Sequence, residues 1–274
     1  MILKYSMKRK FLLNLFLFPI SLLSVGFFQL NISNLISPPA AHATNWNAYN
    51  NHVQNGGRNL DNGNYQKAID FYNKALKIYK KDGAIFYNRA ISNYELGNYK
   101  EAIEDYKEAL NLEDKMRSAI THLNIGNAYK EIEEFDKALF HFNKAISIKP
   151  NEGFYYQDRG SLSIELEKWD EALKDYEAAK SKYLKKRETI DEYFYNDIGY
   201  VYFKLGSYDL AIDNYDKAID INPKEGIFYT DKGDALYELG KEDEACANYI
   251  KSSELGYEEI QDYLNSSDGD WCKK

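Results

Sequence analysis

The chain of 274 residues has only two cysteines, Cys246 and Cys272, five prolines and four histidines. That scarcity leaves no Cys/His cluster spaced for zinc and no H-E-x-x-H helix, so no metal site is expected. Two short acidic stretches, "DNGN" at 61–64 and "DGD" at 268–270, lack the remaining ligands and the closing Glu of a calcium loop and read as turns. Gly56-Gly57 follows no strand and has no lysine or serine behind it, which excludes a phosphate-binding loop. His122 and His141 fall in helical stretches and are read as packed or solvated side chains. No catalytic constellation remains, so neither an enzyme nor a cofactor is expected. Few prolines, 28% charged residues and a mean hydropathy of −0.62 argue against a disordered chain and against a multi-span membrane protein. Tyrosine, with 25 residues, is what the chain has in abundance.

Residues 1–43 differ from the rest. "MILKYSMKRK" is basic, "FLLNLFLFPISLLSVGFF" is apolar, and "NISNLISPPAAHA" ends in small residues. These are the parts of a secretory signal peptide, with Ala41-His42-Ala43 placing the cut before Thr44. The alternative is an uncleaved anchor, since about 20 apolar residues span a bilayer. Asn14 and Pro19 within the run favour cleavage. Both readings put the body of the protein outside the cytoplasm, in a periplasm, a thylakoid lumen or the extracellular space. Without this segment the chain keeps 31 of its 35 Lys and Arg against all 43 Asp and Glu, a formal net charge of −12. That field opposes nucleic acid and anionic lipid, so membrane contact is expected only through an uncleaved leader. A basic partner, or a neutral one with basic spots, suits it better.

One pattern recurs six times. Segments such as "GNYKEAIEDYKEAL", "EEFDKALFHFNKAI" and "GSYDLAIDNYDKAI" carry a small residue at Ala68, Ala102, Ala138, Ala172, Ala211 and Ala245. An aromatic follows four residues later: Tyr72, Tyr106, Phe142, Tyr176, Tyr215 and Tyr249. Three more bring a second small residue, Ala75, Ala109, Ala145, Ala179, Ala218 and Ser252. Offsets of 3, 4 and 7 share one helical face, so each segment is an amphipathic helix with a small-residue stripe. Before each of the last five runs another helical stretch, with a small residue at Ala90, Gly126, Gly160, Gly199 or Gly233. A helical glycine costs about 1 kcal/mol relative to alanine, which its recurrence offsets only through close packing. The units step by 34, 36, 34, 39 and 34 residues, and Pro150 and Pro223 stand where second helices should stop.

This period, the helix–turn–helix unit and the small and aromatic positions over residues 49–256 resemble the tetratricopeptide repeat (TPR) family. The resemblance implies an all-α, right-handed α-solenoid of six TPR-like units, near 49–82, 83–118, 119–152, 153–191, 192–225 and 226–256. Residues 257–274 would form a C-terminal cap with a short helix. The first unit, "YNNHVQNGGRNLDN", has few apolar anchors and is expected to be a frayed terminal repeat. "KSKYLKKRETIDE", inside the 39-residue step, reads as an extension of a helix and its loop.

In that family the ligand face uses the second, fifth, ninth, twelfth and thirteenth positions of each unit. Carried over, the residues expected to meet a partner are Tyr87, Ile91, Tyr94, Glu95, Asn127, Lys130, Glu131, Gln157, Glu165, Asn196, Tyr200, Phe203, Asp234, Tyr237 and Glu238. Chaperone-binding members hold a C-terminal carboxylate with Lys and Asn at the fifth and ninth positions. No lysine occupies either here, so that role is not expected. An aromatic and aliphatic groove with an acidic edge implies a non-catalytic scaffold holding a basic or aromatic/apolar peptide segment, in a setting such as envelope or membrane-complex assembly. The alternative is a glycan or cell-wall binder using the tyrosine-rich wall.

Cys246 occupies a slot that the other units fill with Ile69, Ile103, Leu139, Leu173 and Ile212. In those units an apolar side chain would pack towards the following repeat, but no repeat follows the sixth. "YEEIQDYL" instead offers Tyr257, Ile260 and Leu264 on one face. This short helix is expected to cover the open end, fastened by a Cys246–Cys272 disulfide, which an oxidising compartment favours. Two free thiols are the alternative.

Overall fold

The computed structural model of the protein describes residues 43–112 and 118–273. The expected leader lies outside them but for its last residue. Thirteen α-helices and one 3-10 helix make up the described residues, with no strand among them. None of these helices is long and apolar enough to cross a membrane. The chain divides into two compact units, residues 1–81 and 82–274.

The described part of the first unit is a helical hairpin, α1 (Ala43–Asp61) and α2 (Tyr65–Ile78). The fraying expected of α1 is not found: it is a continuous helix of 19 residues. Its anchors are aromatic and glycine rather than aliphatic. Tyr49, buried, stacks on Trp46 at 4.9 Å and meets Tyr79 edge-on at 6.0 Å. Gly56 lies flat against the Tyr72 ring, where no side chain would fit.

The second unit repeats that hairpin five times. Its pairs are α3 (Gly83–Glu95) with α4 (Tyr99–Leu112), α5 (Ser118–Glu131) with α6 (Phe135–Ile148), and α7 (Gly153–Glu165) with α8 (Trp169–Lys186). Then come α9 (Glu192–Lys204) with α10 (Tyr208–Ile221), and α11 (Gly226–Glu238) with α12 (Glu242–Glu254). The short α13 (Glu258–Asn265) and a 3-10 turn, Ser267–Lys273, close the chain. The extension in the 39-residue step is real, since α8 has 18 residues where α4, α6 and α10 have 14.

One contact explains the pairing. The small residue of each first helix faces the aromatic sixteen positions later on the second: Ala90 and Tyr106, Gly126 and Phe142, Gly160 and Tyr176, Gly199 and Tyr215, Gly233 and Tyr249. A Cβ added at Gly126 would stand 2.5 Å from Phe142 Cε1, and one at Gly199 2.6 Å from Tyr215 Cε1. All five aromatics are buried. Burying such a ring contributes about 2–3 kcal/mol, more than the roughly 1 kcal/mol that the helical glycine costs. Two pairs add a bidentate clasp. Arg89 donates to Asp105 at 2.8 and 2.6 Å, and Arg159 to Asp175 at 2.7 and 2.6 Å.

The ends of these helices follow local chemistry. Asp82 and Asp191 cap α3 and α9 by accepting from the backbone N–H of Ala84 and of Phe194 at 2.9 and 2.8 Å. The turn between paired helices closes on a left-handed residue, glycine at Gly97, Gly206 and Gly240, but Glu133 and Glu167 in the third and fourth repeats. At the C-terminal end Ile260 is buried among Leu236, Ala245 and Tyr249, with Tyr257 and Leu264 packed alongside. Trp271 donates from Nε1 to Tyr263 Oη at 3.0 Å. The same turn brings Cys272 beside Cys246, with Cα atoms 5.3 Å apart.

Candidate functional site

The first helices of the second unit, α3, α5, α7, α9 and α11, carry the fifteen positions expected to meet a partner. Hydrogen bonds and ion pairs tie neighbouring first helices together. Asn124 Nδ2 donates to Tyr87 Oη at 3.0 Å, and Asn127 Nδ2 to Asp158 Oδ2 at 3.1 Å. Lys130 pairs with Glu165 at 3.4 Å, and Asn196 Nδ2 donates to Asp231 Oδ2 at 3.0 Å. Several of the expected residues are therefore already engaged within the chain. Asn196 is buried, 4% exposed, and spent on Asp231. Gln157 accepts from Tyr183 Oη and Asp234 from Tyr249 Oη, each at 2.7 Å.

The aromatic members are half-buried. Tyr87 and Tyr94, with Ile91, pack on the core of the second to fourth repeats. Tyr94 also meets Tyr99 edge-on at 5.2 Å, and Tyr200 meets Trp169 edge-on at 5.9 Å. Phe203 lies 5.6 Å from Tyr208, and Tyr237 lies 5.2 Å from Trp271 of the C-terminal turn. Glu238 is exposed.

Reading five fixed positions missed a sixth. Asn124, Asp158, Asp197 and Asp231 each bond back to the preceding repeat, to Tyr87, Asn127, Tyr176 and Asn196 respectively. The signal was present, since the sixth position is Asn or Asp in all five repeats, beginning with Asn88. It lies one residue from the fifth, off the ligand face that the family positions define.

Charge concentrates on the inner side of α3, α5 and α7. Burial pushes the Asp158 carboxyl up, against the pull of the Asn127 amide and of Lys130. Burial also draws Lys130 down, but Glu165, Asp158 and Glu131 outweigh it and hold this ammonium above the usual lysine range. Burial raises Glu95, and it raises Glu131 against the pull of Lys130, with Glu165 adding to the rise. Both carboxylates, after burial itself, push up the Tyr99 phenol that faces them. Lys130 bonds Glu165, and among the described residues no cationic side chain forms an ion pair with Glu95 or Glu131. Two partly desolvated carboxylates beside two tyrosine rings form an acidic, aromatic patch suited to a cationic side chain.

Comparison with known proteins agrees with this geometry. Sequence profiles described as tetratricopeptide repeat match residues 59–82, 82–151 and 193–225. The chain is 32% identical over 96 residues to the Hsp70-Hsp90 organising protein of Plasmodium falciparum, covering 34% of this chain and 17% of that protein. It is 29% identical over 99 residues to the small glutamine-rich tetratricopeptide repeat-containing protein 2 of Saccharomyces cerevisiae, covering 35% of this chain and 26% of that one. The chain thus spans less than a third of these relatives. Among solved structures, the C-terminal part of a TPR repeat-containing protein from Cytophaga hutchinsonii is similar with a TM-score of 0.64 at 18% identity, over 78% of this chain and 82% of that one. YrrB, described as a TPR protein with an unusual peptide-binding site, is similar with a TM-score of 0.55 at 19% identity, over 68% of this chain and 92% of that one. At such identities the likeness concerns the fold. With three repeat profiles matched along a helical-hairpin array, the chain is a tetratricopeptide repeat protein.

Proposed function

We propose that this protein is a non-catalytic interaction scaffold that works outside the cytoplasm and holds a peptide segment of another protein along its first helices. The observation that carries this reading is the pair of partly buried carboxylates Glu95 and Glu131, both raised by burial, beside Tyr94 and Tyr99. A lysine or arginine of the partner, flanked by apolar or aromatic residues, would meet both carboxylates and a ring face together. A relative named Hsp70-Hsp90 organising protein, and a protein of similar fold described as having an unusual peptide-binding site, support a scaffold role in kind.

Export rests on the basic, apolar and small-residue order of residues 1–43. It predicts that Cys246 and Cys272, brought together by the C-terminal turn, are joined in the mature protein. The bond would fasten Trp271 and α13 over the last repeat, stabilising the closed end by about 3.5 kcal/mol in the chain-entropy account.

The test is a crosslinking capture from an envelope fraction of the native host, with the wild-type chain and with Glu95→Gln/Glu131→Gln. A partner captured by the wild type should be lost from the double variant and weakened by salt. Equal capture by both would move the site off this face.

A further inference from the structure

The third repeat departs from its neighbours in how its two helices are clasped. The second and fourth repeats use Arg89 with Asp105 and Arg159 with Asp175. At the corresponding positions the third has Ile125 and His141, so neither partner of that clasp is present. His141 of α6 turns instead to His122 of α5, with the two Nδ1 atoms 2.9 Å apart and ring centroids at 5.1 Å. His122 itself stands where the other repeats of the second unit carry Phe86, Tyr156, Tyr195 and Tyr229.

Such a contact has one requirement. One Nδ1 carries the hydrogen and the other offers its lone pair, so one ring must keep an unprotonated Nδ1. Protonating that nitrogen sets two N–H groups against each other and places an imidazolium against the N–H of the other ring. The surroundings do not absorb the charge. From α4, Lys107 acts on His141, and its ammonium donates to Tyr129 Oη at 2.7 Å, with the Tyr129 ring 5.6 Å from His141. On α6, Lys144 acts on His122, Lys137 lies over the Tyr129 ring, and Phe140 meets His141 edge-on. From α7, Arg159 reaches α6 through Asn143. Burial lowers both imidazoles, joined by Lys144 at His122 and by His122 and then Lys107 at His141, which falls to about 4.

We propose that the His122–His141 pair is a pH-sensitive joint, opening the α5–α6 contact on acidification while the Arg–Asp clasps of the neighbouring repeats stay closed. The consequence reaches the inner face, because α5 also carries Asn124, Asn127 and Lys130, which bond Tyr87 of α3 and Asp158 and Glu165 of α7. The direction follows from linkage. Imidazoles lowered in the folded state contribute stability that is present above the ordinary histidine value of 6.5 and is lost as pH falls from there towards about 4. For His141 alone, the opening equilibrium should rise roughly eightfold between pH 7 and pH 5.5. The guanidinium of the other clasps does not titrate in this range.

Hydrogen exchange on the full chain, corrected for intrinsic rates, reads each helix pair separately. Between pH 7 and pH 5.5 the opening of α5–α6 should rise at least roughly eightfold while α7–α8 stays level. The double variant His122→Tyr/His141→Asn installs residues that other repeats carry at those positions, Tyr156 and Asn214 among them, and should abolish the response. An α5–α6 response no larger than that of α7–α8, or one that survives in the variant, overturns the proposal. Imidazole nitrogen shifts of the wild-type chain give a check that needs no variant. At pH 7 one Nδ1 should be protonated and the other not, with both rings titrating below 6.5. Titration of either ring at or above that value would also overturn it.

Discussion

Replacing Gly126 by alanine tests the contact on which every repeat is built. The added Cβ would stand 2.5 and 2.6 Å from Cε1 and Cδ1 of Phe142, and 3.3 Å from the backbone carbonyl oxygen of Ala138. Phe142 is fully buried, so its ring has little room to retreat, and the Ala138 carbonyl belongs to the facing helix. Overpacking a tight core costs about 1–3 kcal/mol, and this site lies towards the upper end. Alanine recovers roughly 1 kcal/mol of helix propensity. The expected net loss is about 1–2 kcal/mol. Gly57 is the control, since it lies inside α1 with no atom within 4 Å of its would-be Cβ. There the same substitution should stabilise its own helix by about 1 kcal/mol. Repeat arrays need not unfold in one step, so hydrogen exchange of α5–α6 and of α1–α2 is the assay, supported by urea melts followed by helical circular dichroism. If Gly126→Ala is as stable as wild type, or both substitutions move in the same direction, the glycine–aromatic account fails.

The left-handed turn residues Glu133 and Glu167, at φ 59° and 56°, strain a side chain that Gly97, Gly206 and Gly240 avoid. Glu133→Gly and Glu167→Gly should each stabilise the protein by about 1 kcal/mol in urea melts. Arg159→Ala leaves the buried Asp175 carboxylate unpaired and should cost about 2–3 kcal/mol, less than a fully buried pair because Arg159 is partly exposed. Glu131→Gln should behave in the opposite way. It removes a carboxylate that burial raises, so thermal stability should rise near neutral pH, an advantage that shrinks as pH falls and wild-type Glu131 becomes protonated, while capture of a basic partner falls. Protein taken from its native host should have its N-terminus at or near Thr44 by mass spectrometry and no free thiols under denaturing, non-reducing conditions. An intact leader would favour the anchor, and two free thiols would end the proposed clasp.

The sequence alone determined the repeated hairpin, because the spacings that mark it are local. Ala68 to Tyr72 to Ala75, and its five counterparts, is a one-helix pattern, and Pro150 and Pro223 stop helices through their own backbone chemistry. Even the completeness of the first repeat was legible in principle. Gly56 precedes Tyr72 by the same sixteen residues as Gly126 precedes Phe142, a spacing that does not depend on apolar anchors. The face that carries the candidate site was likewise readable from position within the repeat. Which side chains on that face are spent and which are open was decided by the tertiary structure. Asn196 meets Asp231 35 residues away and Lys130 meets Glu165, whereas Glu95 and Glu131 form no ion pair among the described residues. The sequence shows His122 and His141 replacing the residues usual at their repeat positions, but only the packing of α5 on α6 shows that the two meet. Helix formation depends on neighbours within about one turn, which a sequence displays directly. Pairing, burial and the resulting charge state depend on which atoms of separate helices come within about 3 Å, and only the packing of those helices sets that distance.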